Sequence, residues 1–167
     1  MISKSYILAN LKSINAGYNR AATQKEALFF SKLAVIELCG WIEESMDDIV
    51  LRSAKRSIKL NANYKFAQNK IVRPNYGFDY DRHFRKMLMS LVGLICVESI
   101  ERSVDSAKLS RLQSTLGALK GIRDSEAHTH LKGITRRVNS PSWTLAQFHD
   151  VYNGLKEFES AIRKFGF

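Results

Sequence analysis

Only two prolines, Pro74 and Pro141, stand in 167 residues. Proline removes a backbone donor and clashes inside a helix, so its scarcity favours long uninterrupted helices. The apolar positions point the same way. Tyr6, Ile7, Leu11 and Ile14 fall at helical spacing and predict a short first helix that ends near Gly17. From Thr23 a run from Ala27 and Leu28 through Trp41 to Ile49 and Val50 predicts one helix reaching about Leu60. Residues 61–77 contain Asn61, Asn63, Asn69, Pro74, Asn75 and Gly77 and read as a loop. Asp81 is placed to cap a third helix to about Ser103, with Phe84, Leu88, Leu91, Leu94 and Ile95 on its apolar side. Leu109, Leu112, Leu116, Leu119 and Ile122 predict a fourth helix from about Ser106 to His130. After a basic turn over 133–142, Thr144 and Gln147 form a capping-box signal for a last helix to about Lys164. No repeat or alternating strand pattern interrupts this series. The expectation is an all-α fold, a five-helix up-and-down bundle in one domain over 1–167.

A hydrophobic content of 45% argues against disorder, and the length suits one core of ordinary size. The two cysteines, Cys39 and Cys96, sit in apolar runs, so they are expected as reduced, buried thiols of a cytoplasmic protein rather than a disulfide framework. Asn10, Lys12 and Asn15 interrupt any apolar stretch at the start of the chain, so no signal peptide is expected. The most apolar stretch, Met87 to Val97, is too short for a membrane span of about 20 residues.

Charge is the second constraint. Lys and Arg number 26 against 16 Asp and Glu, a net +10, which marks a surface attractive to phosphate: nucleic acid, anionic lipid or an acidic protein. The surplus is concentrated. Residues 33–51 carry Glu37, Glu43, Glu44, Asp47 and Asp48 with no cation. Residues 52–86 carry ten cations against Asp79 and Asp81 alone. Tyr64, Phe66, Tyr76, Phe78, Tyr80 and Phe84 lie in the second half of that window. Cations beside aromatics suit single-stranded nucleic acid, because the cations neutralise phosphate and the rings stack on bases. Lys55, Arg56, Lys59, Lys65, Lys70, Arg73 and Tyr76 are the candidate RNA-binding residues. The plainer alternative is that the aromatics anchor the segment to the bundle while the cations are solvated.

Four histidines are present, and two of them, His128 and His130, close the segment Arg123-Asp124-Ser125-Glu126-Ala127-His128-Thr129-His130. Arginine can hold a phosphate bidentately, and histidine titrates near neutrality and can move a proton. Five residues apart on an ideal helix the two are about 140° apart, so they converge only where the helix bends or ends. The alternative for the pair is structural: Arg123 bridges to an acid of the second helix and His128 caps the helix C-terminus. His128 and His130 fall about 200° apart on a helix with no third strong ligand, so no metal is expected. The chain has no Gly-rich phosphate loop, His-Glu-x-x-His motif or Ser/His/Asp set, and no cofactor is expected.

The segment resembles the Arg-x(4–6)-His motif of the HEPN superfamily, and most closely the subset Arg-(Asn/Asp/His)-x-x-Ala-His, with Arg123, Asp124, Ala127 and His128 in those places. Asp124 stands where Asn is commoner, and His130 has no counterpart in the motif. The resemblance implies a HEPN-like bundle carrying the motif at the end of its penultimate long helix. It also implies a metal-independent endoribonuclease, often a toxin or abortive-infection effector in prokaryotic defence. Such members commonly dimerise, so a homodimer with two motifs in one cleft is implied. His128 would transfer protons, Arg123 would clamp phosphate, and Asp124 would orient one of them. Glu37 or Glu44, seven residues apart on one helix face, is a possible partner for Arg123. For a toxin of this kind the resemblance implies an antitoxin as partner; the competing expectation is a non-catalytic HEPN-like module that binds RNA or a nucleotide, or pairs with a nucleotidyltransferase-type partner protein. A DNA-binding or scaffolding helical protein is a third.

Overall fold

A computed structural model describes residues 2–127 and 138–167. These residues form an all-α bundle without strands. The first helix, α1, spans Ser5–Asn19, and α2 spans Gln24–Ser57. Thr23 starts α2 by accepting the Glu26 backbone N–H at 3.1 Å, and Glu26 returns by accepting Ala22 N–H at 2.9 Å. Reciprocal caps of this kind satisfy donors that the first turn leaves unpaired. With 34 residues, α2 is about 51 Å long at 1.5 Å per residue and runs through the whole bundle. It packs on α1, on α6 (Ser106–Ala127) and on α7 (Pro141–Lys164). Leu38, Ile42, Met46 and Val50 of α2 are fully buried there with Leu112, Leu119, Phe148 and Leu155.

The count of five helices is corrected upward. Seven α-helices and two π-helical segments occur among the described residues. Residues 61–77 are not simply a loop: α3 (Asn61–Phe66) continues into a π-helical segment, Ala67–Val72. Asn61, Asn63 and Asn69 lie on the solvent side while Ala67, Ile71 and Val72 are buried, so the asparagines decorate a helix rather than break it. The expected third helix is divided. A π-helical segment, Tyr80–Arg85, leads into α4 (Lys86–Val92), and α5 (Leu94–Ser103) follows after Gly93. Gly93 sits at φ 83°, a conformation glycine adopts at little cost, and this turns the chain between two helices. The cap of this region is Asp79, not Asp81; its carboxylate accepts Arg82 N–H at 2.9 Å. The last helix begins at Pro141, where proline's fixed φ suits a first turn, and Thr144 is buried inside it instead of capping it.

Phe78, Tyr80 and Phe84 of the basic window belong to the core. Tyr80 and Phe84 pack on Phe158 at 5.7 and 5.5 Å between ring centroids. Tyr80 Oη donates to Glu101 at 2.6 Å, and Arg85 Nε donates to the same carboxylate at 2.7 Å, tying the π-helical segment to α5. Cys39 is buried and Cys96 half-buried, both as free thiols. No described helix is long and apolar enough to cross a membrane.

One buried acid ties the start of the chain and α2 to α7. Glu159 of α7 is buried, accepts Ile2 N–H at 3.0 Å and Arg163 at 3.0 Å, and lies 3.5 Å from Arg52 of α2. Removing it strands donors away from water, which costs about 2–3 kcal/mol. Glu159→Ala is therefore expected to lower stability by that amount in urea unfolding, and an unchanged midpoint would contradict the bridging role.

Candidate functional site

The Arg123 segment lies where α6 passes the start of the second π-helical segment. Arg123 sits near the C-terminal end of α6 with its side chain one-third exposed. Its Nη1 lies 3.1 Å from Asp124 Oδ1 as an ion pair, and its guanidinium lies 5.6 Å from the centre of the Phe78 ring. A guanidinium over an aromatic face is held by the ring's quadrupole, which fixes its plane without using its N–H donors. Phe78, expected as a base-stacking candidate, is buried and serves as this platform. His128 and His130 lie outside the described residues.

Glu37 and Glu44 are not beside Arg123. They line a groove of about 390 Å³ between α1 and α2 with Tyr6, Ile7, Asn10 and Trp41, and Asn10 Nδ2 donates to Glu37 at 3.4 Å. The α2 acid on the Arg123 side is Glu43. It acts with Arg123 and Asp124 on the buried Cys39 thiol one turn away, and it accepts the backbone N–H of Gly77. Burial pushes the Cys39 pKa up to about 12; Arg123 lowers it, while Glu43 and Asp124 raise it. The thiol stays protonated at neutral pH and is no nucleophile.

Around this centre the structure adds groups the sequence did not single out. Lys120, one turn before Arg123 on α6, donates to Asp79 at 3.5 Å. The Asp79 carboxyl is held below its ordinary range, chiefly by the hydrogen bond from Arg82 N–H and also by Lys120. Asp79 N–H donates to His83 Nδ1 at 3.0 Å. Gly77 at φ 125° lies against the same ring: a Cβ there would come within 2.8 Å of His83 Cε1. Burial holds the His83 pKa below its ordinary value, with Lys120 and Lys86 adding to the effect against Asp79 and Glu43. Lys120 was legible as the i−3 neighbour of Arg123, and Asp79 as a cap three residues before Arg82. The proximity of His83 to α6 is tertiary and left no local signal.

The expected RNA-binding cations are all exposed. Lys55 and Arg56 end α2, Lys59 follows it, and Lys65, Lys70 and Arg73 line α3 and the segment after it. None of the six pairs with a carboxylate among the described residues, although Arg73 donates to Asn69 at 3.2 Å. Tyr76 is 83% exposed and Phe66 60%, so these two rings are open for stacking while Phe78, Tyr80 and Phe84 are not. No group of three or more His, Cys, Asp or Glu able to hold a metal ion occurs among the described residues.

Comparison with protein-family models, curated proteins and solved structures finds no match for the chain.

The acidic face of α2 has a measurable consequence. Asp47 is pushed up to about 6, first by burial and then by Glu43, Asp48 and Glu44. In the unfolded chain it ionises near 3.8, so between these values the folded state holds more protons. Stability therefore falls as pH rises from about 4 to about 6, and the penalty is complete above that window. After allowance for solvent screening, Asp47→Asn is expected to stabilise by on the order of 1 kcal/mol at pH 7.5 and to match wild type near pH 3.5. An equal effect at both pH values in chemical denaturation would refute this account.

Proposed function

We propose that the chain is a metal-independent endoribonuclease of HEPN type, a single HEPN-like helical domain acting in the cytoplasm as a toxin or defence effector. The observation that carries the reading is the Arg123–Asp124 pair on α6, one-third exposed over Phe78, immediately ahead of Ala127 and His128. Cleavage by the neighbouring 2′-OH forms an O2′–P bond and breaks the P–O5′ bond. It needs a base for the hydroxyl proton, an acid for the leaving 5′ oxygen and cations for the crowded phosphorus. Arg123 supplies a cation whose Nε and Nη2 are not engaged by any described residue. His128 is assigned the proton transfer. A homodimer that sets two motifs across a twofold axis supplies a second imidazole and a second guanidinium. The exposed cations from Lys55 to Arg73, with Tyr76, gather the strand.

A second reading is a non-catalytic HEPN-like module that binds RNA or a nucleotide, or pairs with a partner protein. The pairing of Arg123 with Asp124 and its stacking on Phe78 favour it, because such contacts also suit a structural arginine.

Incubation of the purified protein with RNA in EDTA separates the two. The enzyme reading expects cleavage that drops at least 100-fold in Arg123→Ala and in His128→Ala. Intact RNA with wild-type protein would sink it. Replacing Lys65, Lys70 and Arg73 by Ala is expected to weaken binding uniformly across sequences. The salt slope should then fall by about one for each phosphate the protein no longer neutralises. Unchanged salt dependence would remove these residues from the RNA path.

A further inference from the structure

The turn from Gly77 to His83 holds an imidazole that the proposed cleavage leaves unused. We propose that His83, together with Lys120 and Arg123, forms a phosphate subsite in which His83 Nε2–H donates to a non-bridging oxygen of an RNA phosphodiester. The inference rests on the ribonuclease reading and assigns the substrate contact on the α6 side of the same site.

Three observations carry it. First, His83 Nδ1 accepts a backbone N–H, so the proton of the neutral ring resides on Nε2, and no described residue accepts from that atom. Gly77 pressed on the ring face keeps it from turning. Second, N–H groups of the two α6 cations remain without a partner among the described residues. Lys120 has one contact, to Asp79 at 3.5 Å, and Arg123 uses only Nη1 among the described residues. Each of the three neighbouring acids is already engaged: Asp79 takes Arg82 N–H and Lys120, Glu43 takes Gly77 N–H, and Asp124 pairs with Arg123. N–H groups of His83, Lys120 and Arg123 that no described residue accepts from match the oxygens of a phosphate. Third, the groups facing the imidazole are Asp79 and Lys86 from its own segment and the helix after it, Lys120 from α6 and Glu43 from α2. Two cations against two carboxylates, with partial burial, keep the ring neutral at pH 7, and the Asp79 N–H opposes protonation of Nδ1. His83 is thus a fixed hydrogen-bond donor and not a proton carrier.

The test uses a 2′-O-methyl oligoribonucleotide, which binds without being cut, beside a cleavable one. His83→Ala is expected to weaken binding about tenfold, as is Lys120→Ala, while His83→Gln, which keeps a donor, stays within about threefold of wild type. The ratio of wild-type to His83→Ala affinity should stay constant from pH 6.5 to 8.5. A ratio that collapses as pH rises through 7 would show an imidazolium contact and overturn the proposal. Nitrogen NMR of the wild-type imidazole should report the Nε2–H tautomer, whether or not His83→Ala folds; the Nδ1–H tautomer would overturn the proposal. If the wild type cleaves RNA and His83→Ala binds equally well, the subsite fails and the ribonuclease reading stands. If the wild type neither binds nor cleaves RNA, both fail.

Discussion

Burial of α2 by α1, α6 and α7 is the interaction on which the rest of the molecule depends. A helix of 34 residues cannot hold its shape in water by propensity alone; it needs its apolar faces covered along its length. Covering them places α6 alongside, and α6 brings Arg123 and Lys120 to the flank that carries Cys39 and Glu43. The turn at Gly77 is then pinned to α2 through Glu43 and to α6 through Asp79 and Lys120. The site is a seam between two long helices, closed by a short turn.

Charge follows the same spine. One half of α2 presents Glu37, Glu43, Glu44, Asp47 and Asp48, and the end of the helix, with the segment after it, presents exposed cations. The acids differ in use. Glu43 holds a backbone amide, Glu37 faces α1, and Asp47 meets like charges and burial. Asp47 is ionised at neutral pH all the same, and its raised pKa records what holding that charge there costs in stability.

The long helices were legible because α2 and α6 repeat apolar residues at an unbroken period, and Arg123 with Asp124 was legible because the two are adjacent in sequence. What the pattern could not give is physical in each case. Residues 61–72 look like a loop by their asparagines, yet those side chains face solvent while Ala67, Ile71 and Val72 supply the buried side. Wheel arithmetic put Glu37 and Glu44 on one face, but only packing decides that this face meets α1 and that Glu43 meets the turn at Gly77. Phe78 read as a base-stacking ring and is a buried support, because exposure is set by the whole bundle. His83 lies 37 residues before Lys120 in sequence and near it only through the turn.

The segment Tyr80–Arg85 is wound as a π-helix, with Phe84 N–H reaching back five residues to the Asp79 carbonyl. Such a turn holds one residue more than an ordinary α-helical path of the same rise. The chain length between the capping Asp79 and α4 is therefore itself part of the site. Loss of Tyr80, Asp81 or Arg82 would wind the segment as α-helix and shorten the path from Asp79 to His83 by one residue. The imidazole would swing about 100° around the axis, away from the amide that fixes it. Spacing, as much as side-chain identity, sets where that ring points.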